Sequence, residues 1–177
     1  MSRPQILKHM AEKDIPLWTS YFLSAEGQAY TAWEFDVLVG DPEEPGPFFP
    51  MSARRQALYI NALKIDAVGW FFSTPTLIEC KPNASCSAIG QILVYQEWYR
   101  LIFGLQPSMM IVCRRMARQV QTYCAIKEIA VRIVEPADTY QITQSIQQVR
   151  PMIQVKSVLP QFQAASELTL PYVPRET

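Results

Sequence analysis

Hydrophobic and polar positions alternate along the middle of the chain, a pattern that is typical of β-strands. Residues 32–39 (AWEFDVLV) alternate and are rich in strand-forming side chains. Residues 57–72 (ALYINALKIDAVGWFF) predict a long strand, and residues 76–81 (TLIECK) predict another. Because only residues 73–75 separate these two segments, we expect them to form a β-hairpin with a tight connection.

Apolar residues spaced three or four apart mark three helices. The first is predicted over residues 15–26, and a short one over residues 117–126. The longest is predicted over residues 84–103, with Asn83 as its N-cap and Gly104 as the residue that ends it. These segments alternate with strands in the second half of the chain.

Two apolar strands complete the pattern, at residues 108–113 and 129–134. Residues 41–53 carry four prolines and predict a loop. The resulting order is α, β, β, β, α, β, α, β. This order favours an α/β fold in which helices flank a mixed central sheet of four or five strands, with the hairpin at its middle.

The length of 177 residues suggests one domain with extensions. We predict a flexible N-terminus at residues 1–14, a domain at 15–136 and a C-terminal extension at 137–177. The extension is rich in glutamine and interrupted by prolines, yet it carries more apolar residues than a disordered tail usually does. We therefore expect an extended arm that mediates self-association or docks on another protein.

Composition excludes several classes of function. The net charge is zero, which argues against a protein that coats nucleic acid by bulk charge. His9 is the only histidine, so Ser-His-Asp and Cys-His catalysis are excluded in practice. The four cysteines have no C-x-x-C spacing, and glycine-rich phosphate loops are absent. Chemistry must then come from carboxylates, lysine, arginine, tyrosine or the backbone.

The N-terminus lacks the apolar core of a signal peptide, and no apolar run approaches the ~20 residues of a membrane helix. These features predict a soluble protein of the cytoplasm, with no membrane partner.

Carboxylates and a lysine are predicted to meet on the central hairpin. Glu79 and Lys81 are two residues apart on one strand and therefore project from the same face. If the turn centres on Ser73 and Thr74, Asp66 falls opposite Lys81, with Glu79 one diagonal step away. Mg²⁺ or Mn²⁺ prefers such oxygen ligands. The predicted ligands are Asp66, Glu79 and the backbone carbonyl of Cys80.

The following helix adds Gln91 and Tyr95, which share one helix face at i and i+4. The pattern Asp66, then Glu79-Cys80-Lys81, then Gln-x-x-x-Tyr resembles the PD-(D/E)xK nuclease superfamily. The Gln-x-x-x-Tyr element is similar to that of its branch with RecB-type and lambda-exonuclease-type enzymes, and the chain resembles short phage-encoded members.

The resemblance covers about residues 16–135 and implies a restriction-endonuclease-like core. It implies catalytic roles for Asp66, Glu79, Lys81, Gln91 and Tyr95, with Mg²⁺ or Mn²⁺ as cofactor and DNA as substrate. Members of the superfamily often take a further acid from the first helix. For that position the chain offers Glu26, Glu34 or Asp36.

Each of these residues also has a purely structural explanation. Asp66, Glu79 and Lys81 would also suit a cross-strand salt bridge, and Gln91 and Tyr95 would suit a packed polar pair in the core. Several arginines are candidates for contacts with a DNA backbone, although a solvated basic turn explains them equally well. These are Arg54, Arg55, Arg114, Arg115 and Arg118.

Two main functions follow. The first is a metal-dependent nuclease acting on DNA ends or branched DNA in the host cytoplasm. The second is a non-catalytic phage structural or assembly protein, such as a neck, head-tail or tail component of the virion, built on the nuclease fold. A binding module that inhibits or recruits a host nucleic-acid system is a third option. A fold alone does not choose among them.

Overall fold

A computed structural model describes residues 10–42, 48–138 and 141 of the chain. Five helices and five strands lie within these ranges. The helices are α1 (Ile15–Phe22), α2 (Ala25–Gln28), α3 (Met51–Asn61), α4 (Cys86–Phe103) and α5 (Arg118–Ile126). The strands are β1 (Ala32–Val39), β2 (Leu63–Phe71), β3 (Thr74–Ala84), β4 (Ser108–Met116) and β5 (Ile129–Ile133).

The strands form one mixed sheet in the order β1-β2-β3-β4-β5. β1, β2 and β3 pair antiparallel, whereas β3, β4 and β5 pair parallel through the crossovers of α4 and α5. The predicted α/β fold, with helices flanking a mixed sheet and the hairpin at its middle, is confirmed.

Each face of the sheet packs against its own hydrophobic core. One face packs against α4 and α5, and this α4-side core includes Val68, Leu77, Ile92, Tyr95 and Tyr99. The other face packs against α1, and this α1-side core includes Trp18, Phe22, Trp33, Ile78 and Cys80. Burial on both faces explains why β3 and β4 are almost continuously apolar instead of alternating.

Local chemistry sets the ends of the helices. Gly104 ends α4 in the left-handed conformation, with φ of 67°, as predicted. The predicted N-cap Asn83 is wrong, because β3 continues to Ala84 and the Ser85 side chain caps α4. The predicted helix over residues 15–26 is broken, because the Ser24 side chain accepts a hydrogen bond from the Gly27 amide (3.1 Å) and starts α2.

The segment before β2 differs most from its prediction. Residues 57–61, assigned to the long strand 57–72, belong to α3, which also takes residues 51–53 from the predicted loop. Pro50 precedes the helix, and α3 begins with Met-Ser-Ala-Arg-Arg-Gln-Ala-Leu, mostly good helix formers. The chain becomes extended again at Ala62, with ψ of 147°.

The hairpin turn is also displaced. Phe71 pairs with Thr74, so Phe72 and Ser73 form the turn rather than Ser73 and Thr74. Phe72 takes a positive φ of 54°, as two-residue hairpin turns require.

No helix in the described part of the chain combines the length and apolar character that crossing a bilayer requires. Most of the predicted arm at 137–177 and residues 1–9 of the predicted N-terminus lie outside the described residues, so those predictions stay open. Within the described part, the Ala137 amide donates a hydrogen bond to the Pro16 carbonyl (3.0 Å).

Gly27 closes the contact between α2 and α1. A Cβ atom there would lie 2.2 Å from the Tyr21 carbonyl oxygen and 2.7 Å from the Phe22 Cα, both backbone atoms that cannot turn aside. We expect Gly27→Ala to destabilise the fold by about 2–3 kcal/mol in urea denaturation. The matched control is Gly90→Ala in α4, where the Cβ meets nothing within 4 Å. It should stabilise the helix by up to about 1 kcal/mol, and equal effects of the two changes would contradict this packing.

Candidate active site

A fork between β2 and β3 brings the predicted site residues together. The paired part of the hairpin ends at Ala67 and Ile78, and Asp66 and Glu79 are the next residue on either strand. Beyond this point, Asp66 Oδ2 accepts a hydrogen bond from the Cys80 backbone amide at 2.9 Å. A carboxylate thus binds the backbone where strand pairing has stopped, and both acids lie at the same end of the hairpin.

The predicted register is wrong by two residues. Asp66 lies level with Glu79, not opposite Lys81, because the turn centres one residue earlier than predicted. A slip of two residues does not change the face of β3 on which Glu79 and Lys81 lie, since side chains alternate with a period of two. The carboxylates therefore still meet, and more directly than predicted.

Glu79 is buried, with 1% of its surface exposed. Its strand neighbours Ile78 and Cys80 pack into the α1-side core, so Glu79 and Lys81 project toward α4. Glu79 Oε1 lies 2.7 Å from Lys81 Nζ, whereas its Oε2 is buried without a hydrogen-bond partner. Burial, with the nearby Asp66 carboxylate, raises the pKa of Glu79 to about 7 although Lys81 opposes the shift.

The charged groups at the fork shift one another's pKa values. Burial raises the pKa of Asp66, while the Cys80 amide and Lys81 oppose that change. Burial alone would lower the pKa of Lys81, but its hydrogen bond to Glu79 and the carboxylates of Glu79, Asp66 and Asp14 raise it instead. Lys81 is therefore a positively charged group at neutral pH.

Tyr95 reaches the fork from α4. It is buried in the α4-side core, and a side-chain hydrogen bond joins it to Gln91 one turn earlier. Burial and the charges of Glu79 and Asp66 raise the pKa of Tyr95 to about 12, so the phenol stays neutral and keeps its proton. Gln91 itself is exposed. The predicted pair thus shares one helix face beside the acids.

Asp14 is a residue of this site that the sequence prediction missed. It occupies the N-cap position of α1, but its side chain makes no capping hydrogen bond. Only 2% of its surface is exposed, and its Oδ1 is buried without a hydrogen-bond partner. Burial raises its pKa, Lys81 lowers it and Asp66 raises it. An acid directly before a helix that starts Ile-Pro is a signal for an ordered residue at the N-cap. The predicted flexible N-terminus at residues 1–14 includes Asp14 and so leaves it out of the site.

Three acids are candidates for the additional carboxylate that the superfamily often takes from its first helix, and they lie in different parts of the fold. Glu26 forms an ion pair with Arg132 of β5, with Oε1 2.8 Å from Nη2, and so serves another contact. Glu34 is buried, and its charge adds to the effect of burial in raising the pKa of Tyr99 in the α4-side core. Asp36 lies level with Asp66, between the pairs Phe35–Ala67 and Val37–Ile65, and burial together with the Asp66 charge raises its pKa to about 6.

Asp36 also marks a break in the alternation of faces along β1. It takes a positive φ of 53°. Before it, Phe35 packs against the α1-side core, whereas Val37 after it belongs to the α4-side core. The neighbouring strand changes sides in the same way between Ala67 and Ile65. The register of the two strands is the same on both sides of this point, so Asp36 lies level with Asp66.

The candidate DNA-contacting arginines fall into two groups. Arg114 and Arg115 are exposed near the end of β4, where Arg115 is in register with Asn83 of β3, four residues beyond Glu79. Arg114 also lies 3.5 Å from Glu135, and Arg118 starts α5. Arg54 and Arg55 lie on α3, which leads into β2.

The site offers oxygen donors for a divalent cation. Within the described residues, no three histidine, cysteine, aspartate or glutamate side chains come together in a way that could hold a metal ion. A metal would therefore need Asp66 and Glu79 with backbone oxygen, such as the predicted Cys80 carbonyl, together with water. This ligand set suits Mg²⁺, which takes one or two carboxylates and keeps several waters.

No protein-family model and no curated protein matches this chain. Its structure is similar to the crystal structure of a repair endonuclease from Pyrococcus abyssi, with a TM-score of 0.44 and 12% sequence identity. The similarity covers 71% of this chain and 48% of the endonuclease. The chain thus spans about half the length of that protein.

Proposed function

We propose that this protein is a metal-dependent DNA nuclease of the PD-(D/E)xK type that hydrolyses phosphodiester bonds. The observation that carries the proposal is the convergence of Asp66, Glu79 and Lys81 at the fork. Two carboxylates and an ammonium group at the end of two diverging strands are the groups that hydrolysis of a phosphodiester uses.

The residues at the fork fit a divalent cation. Glu79 Oε2 is a buried oxygen without a hydrogen-bond partner, which is an expensive arrangement unless a ligand completes it. Asp66, Glu79 and the Cys80 carbonyl would hold Mg²⁺ or Mn²⁺. When bound, the ion supplies an acidified water and positive charge for the phosphate.

Lys81 acts in this proposal as a charged hydrogen-bond donor and not as a base. Its pKa is raised by the carboxylates around it, so it retains its proton at neutral pH. It orients the attacking water and stabilises the negative charge that grows on the phosphate. Tyr95 and Gln91 hold α4 beside the acids, and Asp14 adds negative charge next to Lys81.

The test is cleavage of labelled single-stranded, double-stranded and branched DNA with Mg²⁺ or Mn²⁺. We expect Lys81→Ala to abolish cleavage without unfolding the protein, since Lys81 is partly exposed. Tyr95→Phe should lose less activity because the ring keeps its packing. Lys127→Ala, on the loop after α5, is the matched control and should cleave normally. A wild type that cleaves none of these substrates would defeat the proposal.

A non-catalytic assembly protein built on the same fold is the second candidate. The direct ion pair between Glu79 and Lys81 at 2.7 Å favours it, because a neutralised pair is also a stable structural contact. In that case the protein would act as the predicted phage structural or assembly component, with the C-terminal arm mediating its association. Truncation after Ala137 should then leave a folded domain with a lower oligomeric state in light scattering.

A further inference from the structure

Helix α3 contributes little to either core. None of its described side chains is fully buried, whereas α1 and α4 bury a full stripe each. Large apolar groups are exposed on it and just before it: Phe48 (98%), Phe49 (57%), Met51 (58%) and Ile60 (63%). A helix that is not held by a core and that exposes apolar groups is suited to contact with a ligand.

The charge of this segment is one-sided. Between Phe48 and Ile65 the chain carries Arg54, Arg55 and Lys64 and no acidic residue. The protein as a whole has no net charge, so this cationic stretch is a local feature. An anionic ligand is therefore favoured over an apolar or cationic one.

The end of α3 leads directly to the fork. Lys64 Nζ lies 4.4 Å from the centre of the Tyr59 ring, over its face. Asp36 of β1 lies level with Asp66, between the pairs Phe35–Ala67 and Val37–Ile65, and Lys64 pairs with Leu38 on the same two strands. A single residue, Ile65, separates Lys64 from Asp66 in β2.

We propose that α3 and Lys64 form a track that guides single-stranded DNA into the fork, with Tyr59 stacking on a base and Lys64 binding a backbone phosphate. The inference rests on the proposed nuclease function and names its substrate class. Aromatic rings beside cations are how proteins hold unpaired nucleic acid, because stacking requires a base that is not enclosed in a duplex.

The experiment measures binding without cleavage. Labelled oligo(dT) of about 15 nucleotides, and a duplex of equal length, are titrated with protein in EDTA and followed by anisotropy. Tyr59→Leu should weaken oligo(dT) binding about tenfold, while Tyr59→Phe should bind as the wild type does. Lys64→Gln should weaken binding and reduce the slope of log K against log salt by about 0.7.

A matched control lies at the opposite edge of the sheet. Lys127 Nζ sits over the Tyr123 ring at 5.7 Å, the same type of pair, and Tyr123 is 46% exposed. Tyr123→Leu and Lys127→Gln should therefore leave oligo(dT) binding unchanged. Thermal melts check that each variant folds.

Three results would overturn the track. These are a Tyr59→Leu variant that binds within about twofold of the wild type, equal losses in the control variants, and a wild type that prefers the duplex. A failure of the nuclease proposal looks different. In that case oligo(dT) binding would still depend on Tyr59 and Lys64, but neither the wild type nor Asp66→Asn would cleave DNA in Mg²⁺ or Mn²⁺.

Discussion

Replacing Glu79 by glutamine should abolish DNA cleavage and at the same time stabilise the fold above pH 7. Glutamine keeps the shape of the side chain but removes the charge that binds the cation. We expect the cleavage rate to fall by roughly a thousandfold or more. The measurement is the initial rate on the best DNA substrate at saturating Mg²⁺ or Mn²⁺.

The stability effect follows from the pKa of Glu79. The pKa of this acid is about 7 in the folded protein, above its ordinary value of 4.5. Between these values the folded state binds more protons than the unfolded state, so stability falls as pH rises through this window. Above pH 7 the buried charge opposes folding by on the order of 3 kcal/mol. Glu79→Gln should recover part of this at pH 8 and almost nothing at pH 5.

Glu97→Gln is the matched control. Glu97 also pairs with a cation, Arg100 at 2.9 Å, but 64% of its side chain is exposed. Exposed pairs of this kind contribute about 0.3–0.5 kcal/mol, so the control should change neither cleavage nor the pH dependence of stability. If Glu79→Gln unfolds more easily than the wild type at pH 8, the ion pair with Lys81 is structural and the assembly function gains support.

The composition of the site was predictable because it depends on spacing within one strand. The alternation Glu79-Cys80-Lys81 sets which face each side chain occupies, wherever the strand lies in the sheet. The register with Asp66 was not predictable, since it depends on Phe72 taking a positive φ that aromatic residues rarely adopt. The carboxylates meet despite this because the slip is of two residues.

Helix α3 could not be recognised from periodicity. A helix reveals itself through an apolar stripe that packs on a core, and α3 buries no such stripe. For this reason residues 57–61 are predicted as part of the long strand 57–72, although they belong to α3. Its helical character comes from intrinsic propensity at residues 53–58, which is a weaker signal than burial.

Asp14 and Asp36 show a different limit. Both carboxylates reach the site through tertiary packing, one from the start of α1 and the other from the middle of β1. The sequence offers Asp36 only as one of three candidate acids, and its spacing does not distinguish it from Glu26, which instead pairs with Arg132. Spacing along the chain does not indicate which acids approach a site through tertiary packing.

Divalent cations should raise the melting temperature of the wild type and leave that of Asp66→Ala unchanged. A ligand that binds only the folded state stabilises it by about 2.7 kcal/mol at a hundred times its Kd. For a chain of this size such a gain corresponds to a shift of about 5–10 °C. Calorimetric titration should give heat with the wild type and none with Asp66→Ala.

The dependence on pH identifies the ligands. Burial holds the pKa of Glu79 at about 7 and raises that of Asp66, so a cation must displace protons from the fork below neutral pH. The melting shift should therefore be small at pH 5.5 and large at pH 8. The heat of binding at pH 6.5 should also vary with the ionisation enthalpy of the buffer, because protons are released.

Glu26→Gln is the control for this experiment, since the Glu26 carboxylate pairs with Arg132 of β5 and not with any residue of the fork. It should keep the full cation-induced shift. Asp14→Asn should keep a part of the cation-induced shift, because the Asp14 carboxylate interacts with the charges of Lys81 and Asp66 and is not one of the predicted ligands. Equal shifts in the wild type and Asp66→Ala would place the cation elsewhere, and the nuclease proposal would lose the metal on which its chemistry depends.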